Sequence, residues 1–162
     1  MTLRNVIWWL FFFVLGLVFQ QILPGVDLLV AGLLVALHEK NIPQLGVILF
    51  FLILLQEGLG TLDFGGAILW YGMVVSFFFV GEWLFETENW MFVLLMSLCL
   101  GLSHGALALL MGQLQYIHFD YPLLLDECIL QVLATGVSWQ LAIFVRRKCA
   151  PSLPCGWRTV GL

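Results

Sequence analysis

Six apolar runs separated by short polar breaks organise the chain. The first is Val6–Leu23, ended by Pro24-Gly25, and the second is Leu28–Leu37, followed by His38-Glu39-Lys40-Asn41 and Pro43. The third, Leu45–Leu55, stops at Gln56-Glu57-Gly58, and the fourth, Phe64–Val80, stops at an acidic stretch from Glu82 to Trp90 that holds Glu86 and Glu88. The fifth, Met91–Met111, leads into the polar-aromatic stretch Gln113–Tyr121. The sixth, Leu123–Val145, carries Asp126 and Glu127 in its first turn and is followed by Arg146-Arg147-Lys148. Charges gather between the runs instead of alternating along helix faces, and most runs approach the ~20 apolar residues of a spanning helix. The pattern predicts an all-α membrane protein of about six transmembrane helices. A single transmembrane domain would cover residues 1–148, with a short tail over 149–162.

The second and third runs are short. They form either two thin spans or one re-entrant hairpin, and both alternatives return the chain to the same side. One span through both would bury His38, Glu39 and Lys40, at roughly 2.5–3.5 kcal/mol for each central charge. Arg4 ahead of the first run resembles the start of a signal peptide. No small-x-small cleavage site follows, so this run is expected to stay as the first span.

Composition agrees with the pattern. Of 162 residues, 62% are hydrophobic and 10% charged, against about 25% charged in an ordinary soluble domain. With mean hydropathy +1.06, lipid is the solvent that suits the chain. A net charge of -4 and only six Lys and Arg leave nothing to build a nucleic-acid groove. Those six residues set the expected orientation. With six crossings, Arg4, Lys40, Arg146, Arg147, Lys148 and Arg158 share a side with both termini, which is then cytoplasmic. Asp27, Glu57, Asp63 and Asp120 fall opposite. Trp8, Trp9, Trp83, Trp90, Tyr116 and Tyr121 sit at expected interfaces as aromatic anchors.

Few residues offer chemistry. Gly101-Leu102-Ser103-His104-Gly105 matches G-x-S-x-G, the nucleophile elbow of hydrolases, but the elbow needs a sharp turn and this match lies within an apolar helix. His104 also follows Ser103 directly, and adjacent helical residues point apart. Gly101 and Gly105, then Ala108 and Gly112, read instead as small faces for close helix packing. His104 is an ionisable group at membrane depth, where such groups face the protein interior. Asp126 and Glu127 point to different faces, one toward the bundle and one toward headgroups, and no chain of carboxylates and histidines suggests a proton path. Glu82, Glu86 and Glu88 make an acidic loop, solvated or a dock for a basic partner. Cys99 reads as a packing residue. Cys149 and Cys155 are spaced unlike zinc ligands. No cofactor or metal is expected, and no phosphate loop, haem motif or nucleotide fingerprint occurs.

One stretch is more distinctive: Leu45-Gly46, an apolar run, Glu57-Gly58-Leu59-Gly60-Thr61-Leu62-Asp63-Phe64-Gly65, then apolar Ile68–Val80. It resembles the rod-shape-determining protein MreD family, whose third helix ends in an acidic residue and whose fourth begins near a Gly. Glu57 and Gly65 take those positions, with Glu57 where the family often has Asp. Pro24-Gly25-Val26-Asp27-Leu28-Leu29 resembles the family's entry to a short second helix, and His38–Pro43 stands in its next loop. Gly136-Val137-Ser138-Trp139 and Arg146-Arg147-Lys148 resemble the end of its last helix. Early in the fifth helix, where the family carries a polar residue, this chain has Gly101 or Ser103.

The resemblance covers nearly the whole chain and implies a multi-pass protein of the bacterial inner membrane, with a bundle similar to the six-helix substrate-binding components of energy-coupling transporters. It implies a non-catalytic scaffold of the cell-elongation machinery, contacting an MreC-like bitopic protein and cell-wall (peptidoglycan) synthesis proteins. Glu57, Gly58, Asp63 and Gly65 would form the partner contact, and Gly101, Ser103, His104 and Gly105 the helix-packing or interior polar positions. Two rivals remain. One is the substrate-binding component of an energy-coupling vitamin or metal transporter, in which His104, Asp126 and Gln131 would be pocket candidates. Such components often carry Ala-x-x-x-Ala on the first helix, where this chain has Phe11, Phe12 and Phe13. The other is an intramembrane hydrolase built on Ser103.

Overall fold

The computed structural model of the chain describes residues 3–23, 25–59, 65–85, 89–114 and 121–149. These form six helices: α1 (Leu3–Ile22), α2 (Leu29–His38), α3 (Ile42–Leu59), α4 (Gly66–Leu84), α5 (Trp90–Leu114) and α6 (Tyr121–Cys149). No strand occurs among the described residues. Four helices hold stretches long and apolar enough to cross a membrane: Asn5–Ile22, Gly66–Leu84, Trp90–Gln113 and Pro122–Arg146. The apolar stretches of the other two, Leu29–His38 and Ile42–Gly58, are shorter.

The short α2 is the centre of the fold. Its sequence LVAGLLVALH is apolar on every side, and each residue from Leu29 to Leu37 is buried. A helix with no polar face must be surrounded, and α2 touches α1, α3, α4 and α6. Its 10 residues rise about 15 Å, roughly half the ~30 Å hydrocarbon thickness. Because α2 is enclosed by protein, the polar residues at its ends, Asp27 and Glu39, meet partners from other helices. Lys40, at φ 53°, turns the chain out of α2 in the left-handed conformation that often ends a helix.

The outer faces are apolar too. Leu10, Phe11 and Val14 on α1, Leu94, Leu98 and Leu102 on α5, and Leu133, Val137, Leu141 and Phe144 on α6 are all exposed. Backbone bonds are satisfied within each helix, as hydrocarbon requires, and so broad an apolar exterior is the surface of a membrane protein. Inside, Phe78, Phe92 and Trp139 stack edge to face with centroids 5.7 Å apart in each pair, joining α4, α5 and α6.

Several boundaries differ from the sequence pattern. Pro43 does not stop a helix: it sits in the first turn of α3, where a missing N–H costs nothing. Asn41 just before it accepts the Gln44 N–H at 3.4 Å, an N-cap arrangement. The fourth helix runs on through Glu82 to Leu84, so Glu82 belongs to its last turn and pairs with Lys40, while Glu86 and Glu88 lie outside the described residues. Arg146 is not the first charge of a tail. It lies within α6 at 5% exposure. Trp9 is buried, unlike an interfacial anchor, whereas Trp83 and Trp90 are exposed.

Candidate functional site: a polar-walled cavity at the Asp27 end

Chain direction alternates so that the start of α2, the end of α3, the start of α4 and the start of α6 meet at one end of the bundle. Asp27 is the polar centre of that end. It lies in the turn before α2 and is 4% exposed. Its Oδ1 accepts the Leu29 N–H at 3.0 Å, the local bond of an Asx turn. Its Oδ2 accepts the Trp70 indole N–H at 2.9 Å and the Tyr71 hydroxyl at 3.0 Å, both from α4. The backbone is held from α6: the Asp27 N–H donates to Gln131 Oε1 at 2.8 Å, and Gln131 Nε2 donates to the Asp27 carbonyl at 3.2 Å. Gln131 is itself fixed by Thr135 Oγ1 one turn on, at 3.2 Å. Burial pushes the Asp27 carboxyl above the ordinary carboxylate range, against the pull of these donors. One residue thus ties α2, α4 and α6 together.

Beside it lies a cavity of about 370 Å³ bounded by Gln20, the Gly25–Asp27 turn, Gln56, Glu57, Gly66, Ala67, Trp70, His104, Leu107, Ala108, Met111 and Glu127. The His104 ring stands edge-on to Trp70 with centroids 5.1 Å apart. Gln20 Nε2 donates to Gln56 Oε1 at 3.3 Å, linking α1 to α3 at the cavity wall. The sequence offered no chain of carboxylates and histidines, yet the fold gathers Asp27, Glu57, His104 and Glu127 from four separate segments around one space.

The residues singled out in the sequence fall into three groups. Glu57 ends α3 at the cavity, and both its oxygens accept the Gly65 N–H, at 3.0 and 3.2 Å. Gly65 has φ 104°, which L side chains rarely adopt, so Glu57 fixes the turn into α4. Gly58 is exposed beside it, and Asp63 lies outside the described residues. Gly101 and Gly105 form the second group. A methyl group at Gly101 would collide with Val132 Cγ2 and lie 3.1 Å from the Cys128 carbonyl, and one at Gly105 would collide with Cys128 Sγ. The small face therefore seats α6 on α5, the most extensive helix pair.

The third group is Ser103 and His104, which part company as neighbours on a helix must. Ser103 is buried and donates to the Cys99 carbonyl, a back-bond common for serine in helices. His104 faces the cavity, and no hydrogen bond joins the two. Of the adjacent acids, Glu127 turns to the cavity while Asp126 is exposed, so Asp126 is not a pocket residue. Gln131 acts from behind, through Asp27. Trp70 and Tyr71 were not anticipated. Their signal was two aromatic residues with polar handles, side by side in an apolar run, which need an acceptor when buried.

A second polar cluster occupies the opposite end. Arg146 donates through Nε and Nη2 to the Glu39 carboxylate, the latter at 3.1 Å to Oε2, and through Nη2 to Asn5 Oδ1. Asn5 Nδ2 donates to Gln44 Oε1 at 2.9 Å, and Gln44 Nε2 to Glu39 Oε2 at 2.6 Å. The guanidinium lies over Trp8 and Trp9, 4.5 and 5.4 Å from the ring centroids, a cation–π arrangement. This knot joins α1, α3, α6 and the end of α2.

Comparison of the chain with protein families, with curated proteins and with solved structures finds no match.

Proposed function

We propose that the protein is a non-catalytic scaffold of the bacterial cell-elongation machinery, embedded in the inner membrane with both termini cytoplasmic. Its expected partners are an MreC-like bitopic protein and proteins of peptidoglycan synthesis. The observation that supports this reading most is the bond between Glu57 and Gly65. These are two of the positions that carry the resemblance to the MreD family, and they meet across a segment that the sequence alone leaves open. The acid fixes the turn into α4 at Gly65, and this turn, with the exposed Gly58 beside Glu57, is where a partner would dock. Arg146 and Lys40 lie at the opposite end with Asn5 at the start of α1, which suits a cytoplasmic side for that end. A six-crossing bundle like the substrate-binding components of energy-coupling transporters accommodates a short, enclosed second helix.

The experiment is crosslinking in the native membrane, purification in mild detergent and identification of what co-purifies. Recovery of a bitopic partner with cell-wall synthases is the expected result. An ATPase module with its coupling subunit, and no bitopic partner, would overturn it.

A second reading, a small-molecule binder of the transporter type, is favoured by the cavity itself. Its ~370 Å³ falls within the ordinary range of small-ligand sites, which set a few polar groups among mostly apolar walls.

A further inference from the structure

The chemistry of the cavity wall says what it would hold, given the reading of the cavity as a ligand site and independently of any transport or scaffold partner. Among the described residues, three carboxyl side chains line it, from Asp27, Glu57 and Glu127, together with the imidazole of His104 and neither Lys nor Arg. Two of the carboxyl groups already serve the fold: Asp27 receives three donors, and Glu57 holds Gly65. Glu127 is half-buried and lies so close to the turn before α2 that a side chain at Gly25 would come within 2.8 Å of its Oε1. Leu107, Met111 and Trp70 line the same space.

The acids are spread around the wall and do not converge on a point. Among the described residues, no three His, Cys, Asp or Glu side chains gather closely enough to hold a metal ion. Dispersed negative charge with an apolar, aromatic side suits an extended ligand whose positive end and hydrocarbon part are separate. A cleft with low-dielectric walls focuses the field of the acids and concentrates cations, and an indole wall favours ammonium and guanidinium groups in particular. The modest volume limits the ligand to a small molecule.

We propose that this cavity binds a small organic cation. Its ammonium or guanidinium head would meet Glu127, and its short apolar body would lie against Trp70, Leu107 and Met111.

The test is equilibrium dialysis of the full chain, purified in mild detergent, against four labelled probes of matched size: butylammonium, butylguanidinium, butyrate and butanol. Saturable binding of the two cations is expected, with no saturable binding of butyrate or butanol. Glu127→Gln should weaken the cations about tenfold or more, the loss of one charged hydrogen bond. Asp126→Asn, which removes the same charge from the neighbouring exposed position, should leave affinity unchanged. Equal binding of butyrate or butanol would overturn the cation assignment while keeping the ligand-site reading. Absence of binding by all four probes would overturn both. Equal weakening by the two substitutions would show surface attraction only and would also overturn the proposal.

Discussion

The polar clusters at the two ends of the bundle use buried charge in opposite ways. At the Arg146 end, one cation is matched by one anion, and Asn5 and Gln44 bond to the pair and to each other. Unlike charges pair directly with each other. At the Asp27 end, the charged groups have the same sign, and the donors that answer Asp27 are neutral: an indole, a phenol and a backbone N–H. Like charges stay apart around a space. The first arrangement locks helices together, and the second ties α2, α4 and α6 together while leaving room beside the acids.

The sharpest way to break this contrast is to remove one partner of the closed cluster. Arg146→Met leaves the partly buried Glu39 carboxylate without its cation, and breaking a fully buried pair costs about 3–5 kcal/mol, an upper bound here. A large fall in the melting temperature in detergent is expected. Adding Glu39→Met should restore much of it, since a well-packed apolar pair often replaces a buried ion pair at little cost. At the other end, Asp27→Ala orphans the Trp70 N–H and the Tyr71 hydroxyl at roughly 1–3 kcal/mol each. Denaturant titration should show the loss, and Asp27→Asn, which keeps an acceptor, should show less of it.

The seam between the two ends should respond less. Gly101→Val forces α6 away from α5 and should cost about 1–3 kcal/mol as overpacking, read as a lower thermal midpoint. Smallest is Ser103→Ala, which removes only a back-bond to Cys99 and should stay within about 0.5 kcal/mol of wild type. Labelling by a serine-reactive probe should be no greater in wild type than in this variant. Specific labelling lost on substitution would revive the hydrolase reading.

Much of the helical layout was legible because apolar runs and polar breaks are strong local signals. The enclosure of α2 was half legible: its apolar residues leave no wet face, but the same pattern fits a thin span or a re-entrant hairpin. Glu82 and Arg146 were misplaced for one physical reason. A charge ends an apolar run in sequence but need not end a helix, and each of these charges continues its helix to reach a partner from another. The cavity was the least legible feature. Asp27, Gln56, His104 and Glu127 are far apart in the chain, and only the packing of helices around α2 brings them together. Gly101 and Gly105 could be recognised as a small face, whereas their partner helix, α6, could not be named from spacing.

The most direct test measures stability and partner recovery together in two variants, Arg146→Met and Glu57→Gln. The glutamine oxygen can still accept the Gly65 N–H, so the turn into α4 should survive the loss of charge with a change below about 1 kcal/mol. After crosslinking in the native membrane, Glu57→Gln should melt close to wild type and recover markedly less of the MreC-like partner, while Arg146→Met melts far lower. Undiminished partner recovery with Glu57→Gln would contradict the account, because the Asp27 end would then not be where the scaffold meets its partner.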